Sequence, residues 1–102
     1  MVIPGGYSPD HLRRCKQTVD FVRDIFDQGK LVAAICHGGW VLVSANIAKG
    51  IRGTSYISIK DDLTNAGMDW SDEEVVVDGN VVTSRYPDDL PAFMRTIIEK
   101  LV

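Results

Sequence analysis

Leu31-Val32-Ala33-Ala34-Ile35 is an unbroken apolar run of strand length that stops abruptly at Cys36-His37-Gly38-Gly39. An apolar run without polar alternation suits a strand covered on both faces, so it predicts a central parallel strand with helices on either side. The residues after it predict a sharp corner into a helix over 40–49, ended by Gly50. A cysteine at such a corner is lifted out of the sheet and sits at a helix N-terminus, where free N–H groups and the dipole favour a thiolate. Ala34 and Gly38, two residues to either side of Cys36, are small, as a tight corner requires. The backbone N–H of His37 would point to the same spot as Cys36 and form half of an oxyanion hole. Gly5-Gly6, at the end of a neighbouring strand, would supply the other half.

The rest of the chain repeats the alternation of strand and helix. Val2-Ile3 is a short strand end before Pro4-Gly5-Gly6. Ser8-Pro9-Asp10 predicts a helix start, with Ser8 as N-cap and Val19, Val22, Ile25 and Phe26 as the buried stripe before a stop at Gly29. Thr54-Ser55-Tyr56 reads as extended, and a helix follows over 59–66, stopped by Gly67. Glu74–Val77 and Val81–Ser84 form a hairpin through Asp78-Gly79-Asn80. A last helix runs from Leu90 to Leu101 with Phe93, Ile97, Ile98 and Leu101 as its buried stripe. Strands alternating with helices imply an α/β fold with a mainly parallel sheet.

Composition narrows the function. With 102 residues, 45% of them apolar and 25% charged, the chain has the balance of one folded domain and not of a disordered tract. A net charge of -3 gives no basic surplus for nucleic acid or anionic membranes. No apolar run approaches the ~20 residues that span a bilayer, and no signal peptide is visible, so a cytoplasmic location is expected. Two cysteines, Cys15 and Cys36, make a disulfide framework improbable. Two cysteines and two histidines also lack the spacing of a zinc site.

Several segments together carry a resemblance. Val2-Ile3-Pro4-Gly5-Gly6, Ala34-Ile35-Cys36-His37-Gly38, Gly53-Thr54-Ser55-Tyr56, Ile59-Lys60-Asp61-Asp62, Asn65-Ala66-Gly67, Val75-Val76-Val77-Asp78-Gly79-Asn80 and Ser84-Arg85 resemble the ThiJ/PfpI family, in its intracellular protease and deglycase branch. The resemblance covers nearly the whole chain. It implies a flavodoxin-like three-layer sandwich, assembly into dimers or hexamers, and no metal or organic cofactor. Carried over residue by residue, it implies Cys36 as nucleophile and His37 as its base. Gly6 and the His37 amide become the oxyanion donors. Asp10 falls where this branch usually has a glutamate that reaches the histidine of a neighbouring subunit, and it is one methylene shorter. Family members carry further N-terminal strands, including a glutamate that hydrogen-bonds the cysteine. Residues 1–102 are therefore expected to be a single C-terminal, partial domain.

Plainer roles are expected elsewhere. His11 is a surface residue, Cys15 a packing residue, and Trp40 and Trp70 packing or interface residues. Tyr7 and Tyr56 are candidates for the pocket rim, and Asp10 taken by itself is a helix-dipole carboxylate. No histidine follows His37, which excludes a glutaminase or α/β-hydrolase order of catalytic residues. The expected function is a cysteine-dependent enzyme acting on carbonyls, either peptide bonds or small dicarbonyls. The small carbonyls are preferred because a hemithioacetal forms without protonating a poor amine leaving group. The alternative is a redox-responsive stress or chaperone-like protein that uses the same thiol without turnover.

Overall fold

The computed structural model describes all of residues 1–102. Strand β1 (Val2–Ile3) leads through a turn to helices α1 (Ser8–Leu12) and α2 (Lys16–Asp27), then strand β2 (Val32–Ile35). A 3-10 turn at Cys36–Gly38 opens α3 (Gly39–Ser44). Strand β3 (Arg52–Gly53), helix α4 (Lys60–Asn65) and strand β4 (Asp69–Trp70) follow. The hairpin β5 (Val76–Asp78) and β6 (Val81–Ser84) leads into α5 (Leu90–Leu101).

The main sheet has the order β1-β2-β6-β5. Strands β1, β2 and β6 are parallel, in the register Ile3 to Ala34 and Ile35 to Ser84, and β5 pairs antiparallel with β6. Strands β3 and β4 form a separate parallel pair. The period of two divides the apolar run between two faces. Val32 and Ala34 turn towards Val22 of α2, Val41 and Leu42 of α3, and Leu63 of α4. Ala33 and Ile35 turn towards Phe93 and Ile97 of α5. All four β2 residues are therefore buried, which is why the run shows no alternation. The result is the expected helix–sheet–helix sandwich.

The predicted first helix is two helices. Residues 13–15 interrupt it, with Arg13 donating from Nε to Ser44 Oγ at 3.0 Å and its guanidinium lying over the Trp40 ring. Those ties hold α1 against α3 and free α2 to lie along the sheet. Tyr7, not Ser8, occupies the N-cap of α1. Cys15 is exposed and caps α2 in an extended conformation, so it is not the packing residue expected. The Thr18 hydroxyl and backbone N–H, with that of Gln17, hold its thiol below the ordinary value. Sulfur is a weak acceptor for those N–H groups, and no side-chain oxygen caps this helix. Cys15→Ser is therefore expected to raise stability by roughly 0.5–1 kcal/mol in urea unfolding, with Cys15→Ala lacking the gain.

Helix α3 ends at Ser44, earlier than Gly50. Asn46 adopts φ 58°, Ile47 N–H donates to Leu42 O at 2.9 Å, and Asn46 N–H donates to Val43 O at 3.0 Å. This is a Schellman closure with asparagine in the left-handed position. On α5, Ala92, Phe93 and Ile97 are buried, whereas Ile98 and Leu101 are 56% and 69% exposed. The helix has a single face against the sheet and nothing packed outside it, so the expected stripe is narrower than the apolar residues alone suggest.

Candidate active site

The three parallel strands end together, and the site lies just beyond their carboxyl ends. Ile35 is extended at φ -125°, and the next residue, Cys36, turns to φ 61°. A left-handed cysteine is strained by roughly 1–3 kcal/mol and persists only where its surroundings fix it. Two glycines make that possible. A Cβ on Gly38 would lie 2.7 Å from the Ile3 carbonyl oxygen, so the turn abuts the end of β1. A Cβ on Gly5 would lie 2.7 Å from Cys36 Cβ and 3.2 Å from its sulfur.

Neighbouring side chains in a regular element face different ways, but this reversal brings two of them together. Cys36 Sγ lies 3.1 Å from His37 Nδ1. The other ring nitrogen, Nε2, is 3.3 Å from Ser58 Oγ. Trp40 meets the imidazole edge-on at 5.1 Å between centroids, and Tyr56 lies beside it at 5.3 Å, tilted by 31°. Trp40 is thus a wall of the site and not only a packing residue. Its Nε1–H donates to Asp62 Oδ2 at 2.8 Å.

The segment carrying Tyr56 and Ser58 is tied down at several points. Thr54 N–H donates to Thr83 Oγ1 at 2.9 Å, and Tyr56 N–H to Cys36 O at 3.3 Å. Ser55 Oγ accepts from Trp70 Nε1 at 3.0 Å and donates to Tyr56 O at 3.0 Å. Trp70 thus has the structural role expected of it.

Cys36 stands between two clefts. One, of about 270 Å³, is mainly apolar and lined by Pro4, Gly5, Gly6, Ile35, Pro87 and Leu90 beside the cysteine. The other, of about 430 Å³, is lined by Gly6, Tyr7, His37, Trp40 and Tyr56 with Cys36. Gly6 and Cys36 line both. The far wall of the apolar cleft hangs on Asp89, which is 3% exposed. Its carboxylate accepts from Arg85 Nε and Nη2, each at 2.9 Å, and from the Arg85 backbone N–H at 3.0 Å. The Arg85 guanidinium accordingly holds the Asp89 carboxyl below its ordinary range.

The structure brings Cys36, His37 and Gly6 together. Asp10 lies apart from them, exposed in the first turn of α1 and outside both clefts. His11 is exposed, as expected. Tyr7, 88% exposed, and Tyr56 form the rim. Ser58 was not legible in the sequence, since a serine in a polar loop gives no sign of what it faces. No three His, Cys, Asp or Glu side chains converge as metal ligands would, and no helix is long and apolar enough to cross a membrane.

Residues 1–100 match the model of the DJ-1/PfpI family. The chain is 52% identical over 101 residues to deglycase PfpI of Pyrococcus furiosus, covering 99% of this chain and 61% of that protein. It is 48% identical over 102 residues to protein/nucleic acid deglycase 2 of Escherichia coli, covering 99% of this chain and 59% of that protein. The chain thus spans about three fifths of the length of these relatives. The fold superposes with a TM-score of 0.97, at 50% identity, on a two-domain protein of Anabaena variabilis with DJ-1/ThiJ/PfpI-like and ferritin-like domains, covering 98% of this chain and 29% of that one.

Proposed function

The chain belongs to the DJ-1/PfpI family, and from that footing we propose that it is a cysteine-dependent enzyme acting on carbonyl groups, with deglycase or glyoxalase chemistry on small dicarbonyls and their early protein adducts. The observation that carries this reading is the left-handed Cys36, whose sulfur lies 3.1 Å from His37 Nδ1 at the junction of two clefts. The deglycase names of the Pyrococcus and Escherichia relatives support it.

The chemistry needs few parts. The Cys36 thiol passes its proton to His37 Nδ1, and the thiolate adds to the aldehyde carbon. A C–S bond forms and the C=O π pair moves to oxygen. The oxyanion is held by the N–H groups of Gly6 and His37, then takes the proton back from His37 to give a hemithioacetal. No leaving group departs, so the site needs no second acid at this stage. A peptide bond would need its amine protonated as it leaves, a step that addition to an aldehyde does not require. In this reading Asp10 orients His37 of a neighbouring copy, in a dimer or hexamer.

A parallel assay tests the proposal. Methylglyoxal and an unmodified peptide are each incubated with the chain, and product is followed over many equivalents. Catalytic loss of the dicarbonyl with the peptide intact is the expected result. Peptide cleavage would move the assignment to a protease. A single stoichiometric reaction of Cys36 with peroxide, without turnover of either substrate, would make it a redox-responsive protein instead.

A further inference from the structure

We infer that the apolar cleft beside Cys36 seats the substituent of the substrate, and that it selects α-ketoaldehydes bearing an aryl or branched-alkyl group over methylglyoxal and over charged aldehydes. The inference rests on the carbonyl chemistry proposed above. Two clefts meet at the sulfur, and their linings differ in kind. His37, Trp40 and Tyr56 line the larger one, which is where the Asp10 carboxylate of a neighbouring copy would meet the imidazole. The smaller one is left for the group attached to the carbonyl. Its side-chain walls are Pro4 just after β1, Ile35 at the end of β2, Pro87, and Leu90 at the start of α5. None of these side chains can donate or accept a hydrogen bond.

Size and charge choose the substituent. The cleft measures about 270 Å³, and roughly 150 Å³ of apolar space is enough to take up benzene. A methyl group fills a minor part of that space and leaves the four walls in contact with water. A phenyl or isobutyl group covers them and is itself withdrawn from water, a gain that grows with the apolar area hidden. No charged side chain lines the cleft. Arg85, two residues before Pro87, is committed to Asp89 and Asp72, at 2.9 Å each. A carboxylate-bearing aldehyde such as glyoxylate would therefore lose its hydration there without gaining a partner.

The test measures kcat/KM for phenylglyoxal and methylglyoxal side by side, with glyoxylate as the charged comparison. Phenylglyoxal is expected to exceed methylglyoxal by roughly tenfold to thirtyfold, as the extra apolar area requires, and glyoxylate to fall below both. Leu90 is 42% exposed and outside the packed core, so Leu90→Asn keeps the fold. It should lower the phenylglyoxal-to-methylglyoxal ratio by roughly fivefold, a comparison in which the intrinsic reactivities of the two aldehydes cancel. A parent ratio near one, with both aldehydes turned over, overturns the inference and leaves the carbonyl chemistry standing. A ratio that Leu90→Asn does not move assigns the preference to another surface and also overturns it. A second measurement is independent of turnover. In a Cys15→Ser background, millimolar acetophenone should slow alkylation of Cys36 by iodoacetamide, and acetone at the same concentration should not. Protection without turnover of any aldehyde overturns the proposed reaction and upholds the cleft's preference. Absence of protection shows the cleft closed to a phenyl group and overturns the inference.

Discussion

Cys36→Ala is expected to lower methylglyoxal turnover by about 10³-fold or more, because the other thiol, Cys15, is exposed at the start of α2 and lines neither cleft, so no second sulfur at the site can form the carbon–sulfur bond on which the proposed reaction depends. The substitution removes the only sulfur at the site and keeps the Cβ that the left-handed turn already accommodates beside Gly5, so stability should hold. Activity and stability then move independently. Steady-state rates, read beside a thermal melt, would separate the two. Turnover within a few-fold of the parent would falsify the nucleophile assignment. His37→Ala should cost less, since the thiol keeps its position at the corner while its proton goes to solvent.

Asp89→Asn carries the largest expected change in stability. The parent carboxylate is almost fully enclosed and receives three hydrogen bonds from Arg85. Loss of one partner of a fully enclosed pair costs roughly 3–5 kcal/mol. Arg85 keeps contact with water and a second carboxylate, Asp72, at 2.9 Å, so about 2 kcal/mol at pH 7 is the better expectation. The folded-state pKa of Asp89 is depressed. Its contribution is therefore whole above the unfolded carboxylate value of about 4 and is lost as pH falls through the folded value. Urea unfolding of parent and variant should show a gap that narrows below about pH 4. A gap independent of pH would assign the loss to packing alone. Because this pair braces the corner that presents Pro87 and Leu90 to the apolar cleft, the variant should also bind apolar substrates more weakly.

The strand–corner–helix signal was readable because it depends on local chemistry. A doubly buried strand needs an uninterrupted apolar run, and a tight turn needs small neighbours. The hairpin at Gly79 and the bounds of α5 follow from similarly local rules. The break at residues 13–15 did not, since it is set by what Arg13 meets on α3 and Trp40, far along the chain. The early end of α3 was written at Asn46, but an asparagine is a weaker stop signal than the glycine four residues later. Cys36 and His37 could be named from sequence, but their 3.1 Å approach depends on a backbone reversal that side-chain periodicity does not encode. Ser58 entered the site only through the fold, which brings a loop 21 residues away onto the free edge of the imidazole.

The left-handed turn at Cys36 also ties one atom's behaviour to the condition of the entire molecule. Ile3, Ile35 and Ser84, at the ends of adjoining strands, belong to distant stretches of chain, and the kink survives only while those stretches remain aligned. If the alignment slips, the torsion relaxes and sulfur and imidazole swing apart before much helix has melted. The speed at which a small electrophile labels that sulfur is then a sensitive thermometer of partial unfolding, reporting the first loosening of the architecture rather than its final collapse.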